Sequence, residues 1–273
     1  MNLSRRSFFK RFTIGSAYLL TGGVSALAAD DIFSSNEQIR LRFAVGSDAH
    51  YGQPDTEFAK CLADFVTNIN TFNQRFRLDA CVVNGDIIHD KKKFLKDAKR
   101  TLDKLSTPYF VTQGNHDQVT PEYWQETWNT PHNHKAKVGS ALFLMMSTSN
   151  EQGDYLSPNL TWLKEQLDEH QADNVFLFLH IGQQKWTKGS IDNSEYAGLI
   201  KNYTNVRGVF HGHDHDEDSI KMLGTIPHLY DSNIGGNWGT SYKGYRIVEL
   251  LENNTIRTYL MNPTEKIKAT AIN

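Results

Sequence analysis

Short apolar runs that end on polar, glycine-bearing clusters recur along this chain and set its organisation. Residues 38–46 alternate apolar and polar side chains (Ile39, Leu41, Phe43, Val45) and stop just before Asp48, the pattern of a half-buried strand. Across residues 55–76 the apolar positions Phe58, Cys61, Leu62, Phe65, Val66, Ile69 and Phe72 fall at helical spacing, with one face turned to a sheet. Residues 80–83 are a short β-rich run ending in Asn84-Gly85-Asp86. Residues 94–105 predict a second helix, and 109–112 a third strand running into Gly114-Asn115-His116-Asp117. This β-α-β-α-β order puts each polar cluster just past a strand's carboxyl end, where open α/β sheets build their sites.

Downstream, residues 141–147 predict a strand. Ser157-Pro158 then predicts a helix start, a hydroxyl cap with proline at the first position, and Leu160, Leu163 and Leu167 make its apolar face. The wholly apolar run 175–179 delivers His180, residues 191–203 read as helical, and 206–210 deliver His211-Gly212-His213-Asp214-His215. The runs 226–230, 245–250 and 255–261 complete a strand-rich, antiparallel remainder. The expectation is one α/β domain over residues 38–263, a pair of mixed sheets covered by helices, with a linker at 29–37 and a loosely held tail at 264–273.

The first 28 residues carry a different pattern. Ser4-Arg5-Arg6-Ser7-Phe8-Phe9-Lys10 precedes a moderately apolar stretch and then Ala26-Leu27-Ala28, a small-x-small cleavage site. Paired arginines ahead of a weakly apolar core resemble a bacterial twin-arginine signal peptide, which implies the twin-arginine export machinery as a partner and a periplasmic or secreted mature chain. Without that segment, 25 basic face 31 acidic side chains, so the formal balance moves from −2 to −6. An acidic domain lacks the cationic surface that non-specific nucleic-acid binding requires. After the N-terminal region no apolar run reaches the ~20 residues that span a bilayer. Cys61 and Cys81 sit at opposite ends of a helix-strand unit, too far apart for the ~7 Å that a disulfide allows, and are read as free thiols.

Five clusters remain: Asp48-Ala49-His50, Gly85-Asp86, Asn115-His116-Asp117, His180 and His213-Asp214-His215. Each has a bland reading as a turn or a core histidine. Their coincidence at successive strand ends, with complementary oxygen and nitrogen donors, points to two divalent metals sharing a carboxylate. Gly46 and Gly52 are expected to let the chain turn so that Asp48 and His50 face one ion.

In these motifs the chain resembles the calcineurin-like metallophosphoesterase superfamily. The Leu160–Leu167 segment and Gly244-Tyr245-Arg246-Ile247-Val248 add to the likeness, which spans the whole mature chain. The resemblance implies a four-layer α/β/β/α sandwich. It implies that Asp48, His50, Asp86 and His215 hold one metal, and that Asp86, Asn115, His180 and His213 hold the second, Asp86 bridging. The ions would be manganese, iron or zinc, since no thiolate is present. The reaction implied is hydrolysis of a small-molecule phosphomonoester or phosphodiester, a water activated between the metals attacking phosphorus in line. His116 would serve the leaving group or the phosphoryl oxygen, and Asp117 would orient its imidazole.

Purple acid phosphatases carry a tyrosine three residues after the bridging aspartate. Here that position is His89, which predicts no purple colour with iron and leaves substrate contact or plain surface residue as its roles. Ile181-Gly182 stands where many relatives have prolines. His211 and Asp214 are either supports of the histidine ligands or solvated loop residues. Lys91-Lys92-Lys93 reads as a solvated helix start or an anion attractor. Trp186, Asn233 and Trp238 fall in loops near the clusters. Two other functions stay open: a non-catalytic metal-binding scaffold, and an exported nuclease, which the acidic balance disfavours.

Overall fold

The computed structural model describes residues 38–262 and, ahead of them, the backbone of two strands, β1 (Thr13–Leu20) and β2 (Val24–Ala26). The arginine pair and the tail beyond residue 262 lie outside the described residues. In chain order follow β3 (Ile39–Gly46), α1 (Phe58–Asn73), β4 (Ala80–Asn84), a 3-10 turn (Lys92–Phe94), α2 (Leu95–Leu102), β5 (Tyr109–Thr112), α3 (Pro121–Trp128), β6 (His134–Val138) and β7 (Ala141–Met146). Then come α4 (Leu160–Glu169), β8 (Asn174–Leu179), α5 (Ser194–Ile200), β9 (Val206–His211), β10 (Ile220–Leu223), β11 (Ile226–Tyr230), β12 (Tyr245–Leu251) and β13 (Ile256–Asn262).

The strands form two sheets, ordered β2-β1-β13-β12-β3-β4-β5 and β10-β11-β9-β8-β7-β6. Both are mixed. β3, β4 and β5 run parallel, with β12 antiparallel to β3. In the second sheet β7, β8, β9 and β11 run parallel, with β6 and β10 antiparallel at the edges. The pairing of β11 with β9 corrects the expectation that the whole C-terminal remainder is antiparallel.

Alternation in β3 shows how the layers arise. Leu41, Phe43 and Val45 enter the seam between the sheets, while Ala44 faces α1 and α2. In that seam Phe43 meets Phe143 and Phe176 edge-on at 4.8 and 5.1 Å, and Phe178 stacks on Phe210 at 5.0 Å. The outer face of the second sheet packs Leu163, Leu167, Tyr196 and Ile200 of α4 and α5. Helices thus cover each outer face, and the arrangement is the expected α/β/β/α sandwich.

Local signals account for the remaining differences. The helix expected to open at Ser157-Pro158 starts at Leu160, because the Asn159 side chain accepts from Trp162 N at 3.0 Å, while Asn193 donates to Ser157 Oγ at 2.7 Å. The same cap-and-proline signature operates at Thr120-Pro121, which starts α3, an element the periodicity does not reveal. α5 begins only after its cap Asn193, leaving residues 182–193 as a loop. Cys61 and Cys81 are free, as expected.

Candidate metal centre

At the end of β3 the chain leaves extended geometry through two non-glycine residues. Asp48 (φ 59) and His50 (φ 43) both adopt left-handed backbone, so the turn expected of the flanking glycines is made largely by the donor residues themselves. Backbone bonds hold the turn: Asp48 N donates to Gly85 O at 3.0 Å and His50 N to Asp86 O at 2.9 Å. As a result Asp48 and His50 point into one buried space. There they meet His215, whose Nε2 is 3.0 Å from Asp48 Oδ1 and 3.0 Å from His50 Nε2.

A second group forms beside the first. Asp86 (φ 50), His180 and His213 (φ 68) present their donor atoms within 4.8 Å of one another, as do Asp48, His50 and His215. Asp86 Oδ2 lies 3.2 Å from His180 Nε2 and 3.6 Å from His50 Nε2, so its carboxylate stands between the two groups. Gly85 is required here: it has φ +88, and a Cβ would collide with the His180 ring at Nδ1. That Nδ1 donates to Asn84 O at 2.7 Å, which fixes the ring with Nε2 turned to the carboxylates. Asn84 is itself pinned by Thr112 at 2.7 Å and by Phe210 O at 3.1 Å.

The donor set suits a pair of divalent cations. Asn115 Oδ1 is buried with no hydrogen-bond partner, a costly state for a polar atom that a cation would relieve, and His180 Nε2 faces the Asp86 and Asp48 carboxylates at 3.2 and 3.7 Å. Burial opposes charge on His180, yet the carboxylates of Asp86 and Asp48 outweigh it and push its pKa up to about 10. Burial likewise opposes charge on Asp48, but His215 and His180 hold its carboxyl well below the usual range. The pocket is one that draws positive charge.

The structure brings together all seven expected donors' elements, and it reassigns one neighbour. His116 N donates to Asp86 Oδ1 at 2.8 Å, and the His116 imidazole lies at the rim. Asp117 does not orient that ring. It is fully buried, with Oδ1 accepting from Ile88 N and Oδ2 from Gly114 N, each at 2.9 Å, and burial together with Asp86 raises its pKa to about 7. The backbone turn consumes both its oxygens. Asp90 takes its place, its Oδ1 lying 2.6 Å from His116 Nδ1.

Other positions resolve too. His89 stacks on His116 with centroids 4.7 Å apart, and its Nδ1 is 2.9 Å from His50 Nδ1. His211 is buried, bonded to Leu179 O at 3.1 Å and His228 at 2.8 Å. Asp214 accepts from Thr187 Oγ1 at 2.7 Å and Gly189 N at 3.2 Å, tying loop 182–193 to the histidine loop. Neither is a solvated loop residue. Lys91, Lys92 and Lys93 are exposed around the 3-10 turn. Trp238 lies against His215 and His50, whereas Trp186 packs on His228 at 5.0 Å. Sequence reading missed Asp90, Tyr155 and Ser47, whose hydroxyl stands within hydrogen-bond reach of both Asp48 and Asp231 Oδ1; only the position of Asp90 close behind Asp86 offered a signal.

Two groups of buried acids and imidazoles at the strand ends of a four-layer sandwich define a metal-dependent hydrolase architecture. The profile of the calcineurin-like phosphoesterase family matches residues 41–217, and the chain belongs to that family, a class of dimetal-dependent phosphoester hydrolases. It is 25% identical over 173 residues to a probable glycerophosphodiester phosphodiesterase, GpdQ, from Arcobacter nitrofigilis, the match covering 57% of this chain and 63% of that protein. Among solved structures it resembles a dimetal phosphatase from Danio rerio, at TM-score 0.63, 15% identity and coverage of 85% of this chain and 99% of that one. It also resembles the calcineurin-like phosphoesterase YfkN of Bacillus subtilis, at TM-score 0.50, 12% identity and coverage of 86% and 94%.

Proposed function

We propose that the protein is an exported dimetal phosphoesterase acting on a small-molecule phosphodiester or phosphomonoester. The observation that carries the reading is the convergence of Asp48, His50 and His215 beside Asp86, His180 and His213, with the orphaned Asn115 Oδ1 at hand. In this reading Asp48, His50, Asp86 and His215 hold one ion and Asp86, Asn115, His180 and His213 the other. Two bound dications supply an activated water nucleophile and neutralise charge on the phosphoryl group.

The chain's own residues do the rest. His180 is oriented by Asn84 O, and Asp86 is kept between the two groups by the His116 N–H on its Oδ1. With Asp90 on Nδ1, the His116 imidazole can carry a proton on Nε2 and give it to the leaving alkoxide. The diester alternative draws support from the activity for which the Arcobacter nitrofigilis relative is named.

The test is metal analysis of the purified protein followed by turnover of mono- and diester p-nitrophenyl phosphates after chelation and reloading with manganese, iron or zinc. Restored hydrolysis that is lost in Asp86→Asn supports the reading. Inactivity of fully metallated protein on every ester moves the weight to a metal-binding scaffold. Export rests on Arg5-Arg6 and the Ala26-Leu27-Ala28 site. Arg5→Lys with Arg6→Lys should trap the precursor in the cytoplasm, and the exported chain should begin at Ala29; an intact N-terminus in active protein would remove this part. Cleavage there also deletes β1 and β2, leaving β13 as a sheet edge.

A further inference from the structure

Among the described residues, the exposed large hydrophobic side chains are Tyr155, Leu156 and Trp238, at 43%, 43% and 42% exposure. Scattered apolar residues on a surface mean little, but these are not scattered. Trp238 lies flat on His215, centroids 4.1 Å apart and planes within 8°, and stands 4.8 Å from His50. Tyr155 meets His213 edge-on at 4.8 Å. One exposed aromatic ring therefore rests on an imidazole of each donor group.

The Trp238 ring is held in advance of any ligand. Its loop is sewn to the site by Ile234 N to Ser47 O at 2.8 Å, Gly235 N to Asp48 O at 2.9 Å and Thr240 N to His215 O at 2.9 Å. Lys243 Nζ closes the same loop on Gly235 O and Gly236 O, each at 2.8 Å. Gly239 (φ +99) runs so close that a Cβ there would collide with His215 Cβ. With one indole face on His215, the solvent-exposed part is a fixed apolar platform at the edge of the site, and fixing it beforehand lowers the ordering cost of binding.

We propose that Trp238, with Tyr155 on the other donor group, forms a stacking subsite for a nucleobase, so that the substrate is a nucleoside phosphoester. The inference rests on the phosphoesterase reading for the placement of the phosphoryl group. Two kinds of group bind an indole face, a cation and a planar π system. Two dications held there would neutralise Asp48 and Asp86, leaving no free carboxylate among the donor groups to pair with a cationic headgroup, whereas a neutral base needs none. Stacking on aromatic side chains tolerates any base, so the subsite selects for a nucleoside without choosing among bases.

The experiment compares thymidine 5′-(p-nitrophenyl phosphate) with methyl p-nitrophenyl phosphate, which share a leaving group. The wild type should favour the nucleoside ester in kcat/KM by about tenfold or more, the size of one base–aromatic stack. Trp238→Ala should abolish that ratio and Trp238→Phe should keep most of it; any loss common to both esters cancels. Independently of turnover, AMP added to metal-loaded protein should quench tryptophan fluorescence in the wild type, with the Trp238→Phe variant losing the quench but retaining AMP binding by calorimetry. A wild-type ratio near one, or a ratio unchanged in Trp238→Ala, overturns the subsite while leaving hydrolysis intact. No hydrolysis of either diester or of p-nitrophenyl phosphate, with the AMP quench still present, sinks the phosphoesterase reading and keeps the base-binding platform.

Discussion

The Nδ1 atom of His116 lies 2.6 Å from Oδ1 of Asp90, a residue four positions beyond Asp86 on the loop that leaves β4. The imidazole at the mouth of the site is thereby tied to the loop that carries the carboxylate between the two donor groups. A carboxylate on Nδ1 fixes the ring's orientation and its tautomer, leaving Nε2 to face the reacting group.

That pair predicts a non-additive mutational pattern. His116→Ala should lower kcat by about 10²- to 10⁴-fold with full metal content. Asp90→Asn should lower it by a smaller factor, and Asp90→Asn in the His116→Ala background should cost nothing further. Steady-state kinetics on a substrate with a poor leaving group reads this directly. Independent, additive losses would separate Asp90 from the imidazole.

Metal should stabilise as well as activate. Without metal, buried carboxylates and imidazoles face only one another, and Asn115 Oδ1 is unpaired. Ions at a hundredfold excess over Kd should add about 2.7 kcal/mol each, so roughly 5 kcal/mol for two and a Tm rise of roughly 10–20 °C for a domain of this size. Calorimetry before and after chelation measures it. The increment should vanish in Asp86→Asn.

Gly85→Ala is expected to cost roughly 1–3 kcal/mol and to displace His180, since the position has φ +88 and the new methyl runs into the ring. Metal stoichiometry should fall from two ions towards one. Gly198, in α5, is the contrast, because a methyl added there meets nothing within 4 Å. Gly198→Ala should stabilise by about 0.5–1 kcal/mol and leave metal content unchanged.

His132 gives a pH-dependent prediction remote from the metals. Burial against Trp124, at 5.2 Å, lowers its pKa from 6.5 to about 4, overcoming the favourable charge of Glu122. Between those values the unfolded chain binds the proton and the folded chain does not, so this group's contribution is intact above pH 6.5 and is lost as pH falls towards 4. Urea midpoints of His132→Gln should decline less steeply over that window than those of the wild type. Parallel curves would show that His132 carries none of the slope.

Much of this molecule follows from its sequence alone. Period-2 and period-3.6 patterns placed β3, α1, β4, β5, β7, β8, β9, β11 and β12 within a few residues, because each buries a continuous apolar face that local spacing records. The candidate donors drew notice for a related reason: rare residue types cluster at the ends of strands that the same patterns place. Elements such as α3 and β6 were not, since α3 buries little beyond Trp124 and Thr127, and β6 is an edge strand with alternate residues exposed. Only the tertiary structure decided which aspartate serves His116. Asp117 is adjacent in sequence, but its carboxylate is consumed by Ile88 N and Gly114 N, and Asp90 arrives from another loop. It likewise decided that Trp238, 23 residues beyond His215, lies on that ring. Such pairings depend on where loops are sewn to one another, by backbone hydrogen bonds between distant segments that no local pattern of side chains encodes.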